Sequence, residues 1–290
     1  MSDRRQRLPI GAALIAIIGG ILFFDTTHRL PVMAPGLLLL LALQALREFF
    51  RMSEVAAEAR LSRVALTLGG VMVAAPALLH HAGAPTDVLL LLGAELPVVL
   101  LVLALTLMVP RWTSGVEAAD LRRLAMALFG LLLVALPMAL LMETLFRCAQ
   151  GLAWAALVIL GCKLNDIGGY LVGSSLPPGR RHALTPGLSP NKTIEGALGG
   201  LLFCILGTWG LREGLGAPIA AIPLLPFLSF ALVLGVAAQL SDVLESLVKR
   251  ACGVKDSGAL LPAFGGALDM VDSFILGAPV GYAFGILWLT

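Results

Sequence analysis

Residues 239–273, QLSDVLESLVKRACGVKDSGALLPAFGGALDMVDS, bring together Asp242, Glu245, Lys249, Arg250, Lys255, Asp256, Asp269 and Asp272 in a chain that is 59% hydrophobic. Ionised groups near a bilayer are costly: an Asp or Lys at the centre of a membrane helix loses about 2.5–3.5 kcal/mol on insertion. Carboxylates alternating with ammonium and guanidinium groups suit a metal ion and a phosphate-bearing substrate. Asp242, Glu245 and Lys249 fall at i, i+3 and i+7, on one helical face. Gly253, Gly258 and Pro262 then break the helix, and Gly265-Gly266 allow close backbone approach. Asp269 and Asp272 are expected to share a face at the start of the next apolar run. Complementing a helix dipole supplies typically about 0.3–1 kcal/mol, less than the insertion cost. Two aspartates from different helices converging on a divalent cation account for them better.

Two upstream clusters carry related chemistry. Lys163, Asn165 and Asp166 interrupt the apolar run WAALVILGCKLNDIGGYLVG. Lys163 and Asp166, three apart, either form a self-cancelling ion pair or line a polar, water-filled cavity. In Leu188-Ser-Pro-Asn-Lys-Thr-Ile-Glu-Gly196, Ser189 reads as an N-cap and Pro190 as the first helical residue. Lys192 then falls in the first turn beside free N–H groups, an anion site fit for phosphate. The plainer reading is a capped helix with a solvated lysine at the membrane edge. Glu95 and the His80-His81 pair receive no role.

These residues must be carried by membrane helices. Only 13% of the 290 residues are charged, about half the share of soluble domains, and mean hydropathy is +0.95. The expected fold is all-α: a polytopic transmembrane helix bundle of about nine spans, with the N-terminus cytoplasmic and the C-terminus outside. The spans are expected near 8–24, 30–46, 64–80, 87–109, 124–142, 151–175, 195–211, 218–241 and 265–289. With that orientation sixteen of the twenty Lys and Arg fall in inner segments, as the positive-inside bias requires. Arg4, Arg5 and Arg7 before the first run resemble a signal peptide, but no small-residue cleavage site follows, so the run reads as a retained span. Residues 1–150 form an N-terminal multi-span region and 151–290 a C-terminal catalytic region. Trp112, Trp154, Trp209 and Trp288 are expected at span ends. Cys148, Cys162, Cys204 and Cys252 have no ligand or redox spacing and read as packing residues. A net charge of +2 gives no reason to expect nucleic acid.

Ser246-Leu-Val-Lys-Arg-Ala-Cys-Gly-Val-Lys-Asp-Ser-Gly258 followed by Leu261-Pro-Ala-Phe-Gly-Gly-Ala-Leu-Asp-Met-Val-Asp272 resembles the C-terminal signature of phosphatidate cytidylyltransferases. Asn165-Asp166 and Ser189–Gly196 are similar to two upstream elements of that family, in the same order. The resemblance covers about residues 160–280 and departs at Phe264, where the family commonly has His, and at Met270, where it has Arg. It implies transfer of CMP from CTP to phosphatidate with Mg²⁺ and room for a second cation. The site is expected at the cytosolic face of a bacterial-type inner membrane, in a chain surrounded by membrane lipids and able to form a homodimer. By the same resemblance Asp242 and Asp269 are metal ligands. Lys192, Lys249, Arg250 and Lys255 serve the reacting phosphates, and Asn165, Asp166, Ser189 and Asp272 bind substrate. Two other readings stay open: a CTP-dependent enzyme for another lipid phosphate or polyprenol, and a transporter using Lys163 and Asp166 as an ion path.

Overall fold

A computed structural model describes residues 20–21, 24–25, 32–83, 88–177, 181–260 and 265–290, with side chains omitted for 88–96 and 114. Most of the first expected span, the Glu95 side chain and the Phe264 departure lie outside the described residues. Nine helices and one short hairpin are described: α1 (Met33–Met52), α2 (Ala59–His81), α3 (Val88–Ser114), α4 (Ala118–Arg147), α5 (Gly151–Ser175), β1 (Ala183–Thr185), β2 (Ser189–Thr193), α6 (Ile194–Leu215), α7 (Leu224–Ala251), α8 (Ala267–Val271) and α9 (Phe274–Leu289). Seven stretches among the described residues are long and apolar enough to cross a bilayer. Large apolar side chains such as Leu40, Leu78, Leu198 and Leu225 stay exposed on their outer faces, as hydrocarbon rather than water permits.

The chain divides into two compact units, Met1–Glu143 with Asp256–Val271 and Thr144–Lys255 with Asp272–Thr290. In the first, α1 buries Leu38, Ala42, Ala45, Leu46 and Phe49 at helical spacing. These residues meet the matching face of α2, where Leu61, Ala65, Gly69, Met72 and Val73 are buried. A π-turn at Leu131–Ala135 interrupts the α-helical ladder of α4. Arg111 at the end of α3 grips Asp120 through Nε and Nη2, both at 3.0 Å, and Asp120 also accepts from the Glu117 amide.

In the second unit, α5 is central. Against α6 the two backbones come close: a Cβ on Gly168 would lie 2.5 Å from Phe203, and one on Gly200 would lie 2.8 Å from the Asn165 carbonyl. Against α9 the fit is a ladder. Gly277, Gly281 and Gly285 face Cys162, Val158 and Trp154, small residues every fourth position admitting large ones. Trp154 is therefore a core residue rather than an interfacial one: it is fully buried, stacks on Phe230 at 4.6 Å and donates to the Gly281 carbonyl.

Three local expectations are corrected. Ser189 does not cap a helix. Residues 189–193 form β2, paired antiparallel with β1 through Thr185↔Ser189 and Ala183↔Thr193, so the described residues are not purely α. The cap of α6 is Thr193, whose Oγ1 accepts from the Gly196 amide at 3.0 Å. The run from 218 starts helical six residues later, at Leu224, because Pro218 and Pro223 bracket a short 3₁₀ turn. The last run is two helices, α8 and α9, parted at Asp272-Ser273.

Candidate active site

The second unit gathers the chemistry-bearing side chains. Asp242 and Glu245 stand one turn apart on α7, just beyond Ser241, whose hydroxyl accepts the Leu276 amide of α9 at 2.8 Å. Asp272 occupies the break before α9 and accepts from the Ser273 amide. One carboxylate oxygen from each of Asp242, Glu245 and Asp272 lies within 4.8 Å of the other two. Oxygens bound to one Mg²⁺ at about 2.0–2.1 Å lie about 3–4 Å apart, so side-chain motion of an ångström or less brings all three onto one ion. All-oxygen anionic donors are the set a hard divalent cation selects. Glu245 has a sequence signal, its place on the face of Asp242 and Lys249, yet the signature resemblance assigned it no role.

Each acid is matched by a lysine. Lys192 Nζ from β2 lies 2.9 Å from Asp242, and Lys249 lies 2.7 Å from Glu245. Lys163 reaches Asp166 at 3.2 Å, the Ser273 hydroxyl at 2.9 Å and Asp272 at 3.6 Å. The Lys163–Asp166 pair is thus formed, but as part of a wider network. Four carboxylates against three ammoniums leave an excess of one negative charge, which a divalent cation reverses. The lysines can then turn to phosphate oxygens. Lys192 gets there from a hairpin instead of a helix turn. The hairpin is tied to α6 by the Ile194 amide on the His182 carbonyl and by His182 Nδ1 at 2.5 Å from Glu195.

The remaining expected residues are placed as follows. Asn165 is 3% exposed and accepts from Gln239 Nε2, which also donates to the Ala197 carbonyl. Gln239 thereby ties α7 to both α5 and α6. Ser189 sits in the hairpin, its carbonyl accepting from Thr185 Oγ1 at 3.4 Å. Arg250 is exposed and donates to the Val254 carbonyl, and Lys255 is exposed. Asp269 belongs to the first unit. Its Oδ2 accepts from Ser257 N, Ser257 Oγ and Gly266 N at 3.1, 2.9 and 2.8 Å. Met270 is half-buried. Cys148, Cys162 and Cys204 are buried and all four cysteines are free thiols; burial raises the Cys252 thiol pKa above its ordinary value.

The profile of the cytidylyltransferase family matches residues 5–288. The chain belongs to that family. Among curated relatives, a phosphatidate cytidylyltransferase of Staphylococcus aureus (strain COL) is 40% identical over 139 residues, 46% of this chain and 48% of the relative. One of Synechocystis is 40% identical over 128 residues, 43% of this chain and 40% of the relative. The Escherichia coli K12 protein YnbB, named as uncharacterized, is 40% identical over 136 residues, 47% of this chain and 43% of its own length. The match therefore spans about half the length of the curated relatives or less. As a cytidylyltransferase-family member, the chain carries Asp166, Lys192, Lys249 and Asp272 of its network within the elements that resemble the signature, and Lys163, Asp242 and Glu245 just before them.

Proposed function

We propose that the protein transfers CMP from CTP to phosphatidate, giving CDP-diacylglycerol and pyrophosphate. A phosphate-monoester oxygen attacks the α-phosphorus of CTP, a P–O bond forms, and the bond to the β-phosphate oxygen breaks. The second pKa of a monoester lies near 6, so the nucleophile is already largely ionised at neutral pH and no dedicated base is needed. The obstacle is repulsion between two anions. A bound Mg²⁺ supplies charge neutralisation and alignment of the attacking and leaving oxygens. Asp242, with Glu245 and Asp272, is the donor set for it, and Asp269 is a further ligand on the strength of the signature. Lys192, Lys249 and Lys163 neutralise phosphate charge, and Arg250 and Lys255 attract the triphosphate.

The observation that carries this reading is the four-carboxylate, three-lysine network in a family member. Its place between apolar helices suits a substrate whose acyl chains stay in hydrocarbon while its phosphate reaches α7 from the cytosolic leaflet. With residues 8–24 and α3 added to the seven described spans, the nine-span topology and the Lys/Arg bias put the ends of α7 and β2 in the cytosol. In a bacterial cell the membrane is the cytoplasmic one, and the site serves a monomer or a homodimer equally. Purified protein with labelled CTP, Mg²⁺ and a panel of lipid phosphates tests the proposal. Labelled CDP-diacylglycerol is the expected product. Turnover of a polyprenol or another lipid phosphate alone would reassign the substrate, a reading that Met270 in place of the family's Arg favours. No turnover with any lipid would remove the enzyme reading.

A further inference from the structure

Glu48 is 3% exposed, yet it sits on α1, far in sequence from every candidate site residue. Its Oε1 accepts from Gln44 Nε2 at 3.1 Å. Its Oε2 accepts from Ser257 Oγ at 3.0 Å and from the Leu268 amide at 2.9 Å. These two donors come from the signature segment, 209 and 220 residues along the chain. They flank the same Ser257 and Gly266 groups that hold Asp269 Oδ2. The signature glycines fit this arrangement: a Cβ on Gly258 would lie 2.8 Å from Glu48 Oε1, and one on Gly266 would overlap Oε2. The Gly265 backbone has φ +86°, a conformation in which an added Cβ would lie 2.6 Å from Asp269 Oδ2. Ser257 has one hydroxyl proton and donates it to one carboxylate at a time; standing 3.0 Å from Glu48 Oε2 and 2.9 Å from Asp269 Oδ2, the serine lies between the two.

We infer that Glu48 is a positioning residue for Asp269. It clamps the 257–258 and 265–268 segments from beneath, so that the donors to Asp269 Oδ2 fix the direction in which that carboxylate faces. The inference rests on the proposed nucleotidyl transfer, in which Asp269 is a metal ligand. Hydrogen-bonded partners of metal ligands typically change affinity by about 10–100-fold when removed. A misplacement of about 1 Å in a reacting site costs turnover on the order of 100-fold.

The test uses full-length protein in detergent micelles, with Mn²⁺ affinity read by the electron paramagnetic resonance of free Mn²⁺ and CTP turnover read in parallel. Glu48→Ala is expected to weaken Mn²⁺ binding by about 10–100-fold and to lower kcat more than it raises KM for CTP. Glu48→Gln, which keeps an acceptor for Ser257 and Leu268, is expected to recover both to within about threefold, the spread of context effects on one hydrogen bond. In an Asp269→Asn background the additional loss from Glu48→Ala should vanish, because the clamp then has no ligand to aim. Should the alanine variant aggregate, Glu48→Asp, one carbon shorter, takes its place with the same expectation. A monodisperse Glu48→Ala or Glu48→Asp variant with wild-type Mn²⁺ affinity would overturn the inference, as would an undiminished loss in the Asp269→Asn background. Lack of CTP turnover by the wild type, with the Mn²⁺ effects intact, would overturn the enzymatic reading and leave the positioning role standing.

Discussion

The ion pair between Lys249 and Glu245 allows stability and activity to be separated. The pair is 2.7 Å long, with Glu245 1% and Lys249 13% exposed. At an effective dielectric of about 20 the gross attraction at that distance is about 6 kcal/mol. Desolvating the two ions costs several kcal/mol each, so the net worth of the pair against an apolar one is small. Removing one partner is different, because it strands the other charge. Glu245→Gln is expected to destabilise by about 3 kcal/mol, the low end for a broken buried pair, since the lysine retains some exposure. The double variant Glu245→Gln, Lys249→Met should regain most of that loss. Activity should not follow, since the double variant still lacks a carboxylate of the candidate metal site. Thermal unfolding in detergent gives the first quantity and CTP turnover the second. A double variant destabilised by the sum of the two single effects would refute a buried pair, and one with restored turnover would remove Glu245 from the chemistry.

Further outcomes are expected. Asp242→Asn should lower CTP turnover by at least about 100-fold, as loss of charge at a preorganised site does, while circular dichroism keeps its helical signal. Chelation of divalent ions by EDTA should abolish turnover and added Mg²⁺ should restore it; turnover unaffected by chelation would refute a metal site. Thr193→Ala should cost about 1 kcal/mol through loss of the α6 cap, measured by thermal unfolding. Gly199→Ala should cost about 1–3 kcal/mol by overpacking, because its Cβ would overlap Val172.

The apolar runs located the helices because hydropathy over some twenty residues is a strong, local signal. The Gly151–Ser175 helix matches the expected span at both ends. What failed was local competition. Ser189-Pro190 has the form of a helix start, but pairing with Ala183–Thr185 and the Thr193 cap move that start four residues on, from Pro190 to Ile194. Asp269 and Asp272 were assigned one face on the assumption of a continuous helix, yet the break at Asp272-Ser273 sends Asp272 towards Lys163 and Asp269 towards Ser257. Lys163 and Asp166 were visible as costly charges, whereas their link to Asp272 depends on residues more than a hundred positions away. Glu48 was invisible for the same reason: beside Arg47 it reads as an ordinary interfacial acid, and only tertiary contact reveals its donors.

The seam where α5 meets α6 has a mechanical consequence. Its glycines leave the two rods almost no slack, and Asn165 and Asp166 ride on one rod while the hairpin bearing Lys192 feeds directly into the other. Any load on Lys192 therefore bears on a stiff lever, not a pliant loop, and reaches the middle of α7 through Gln239.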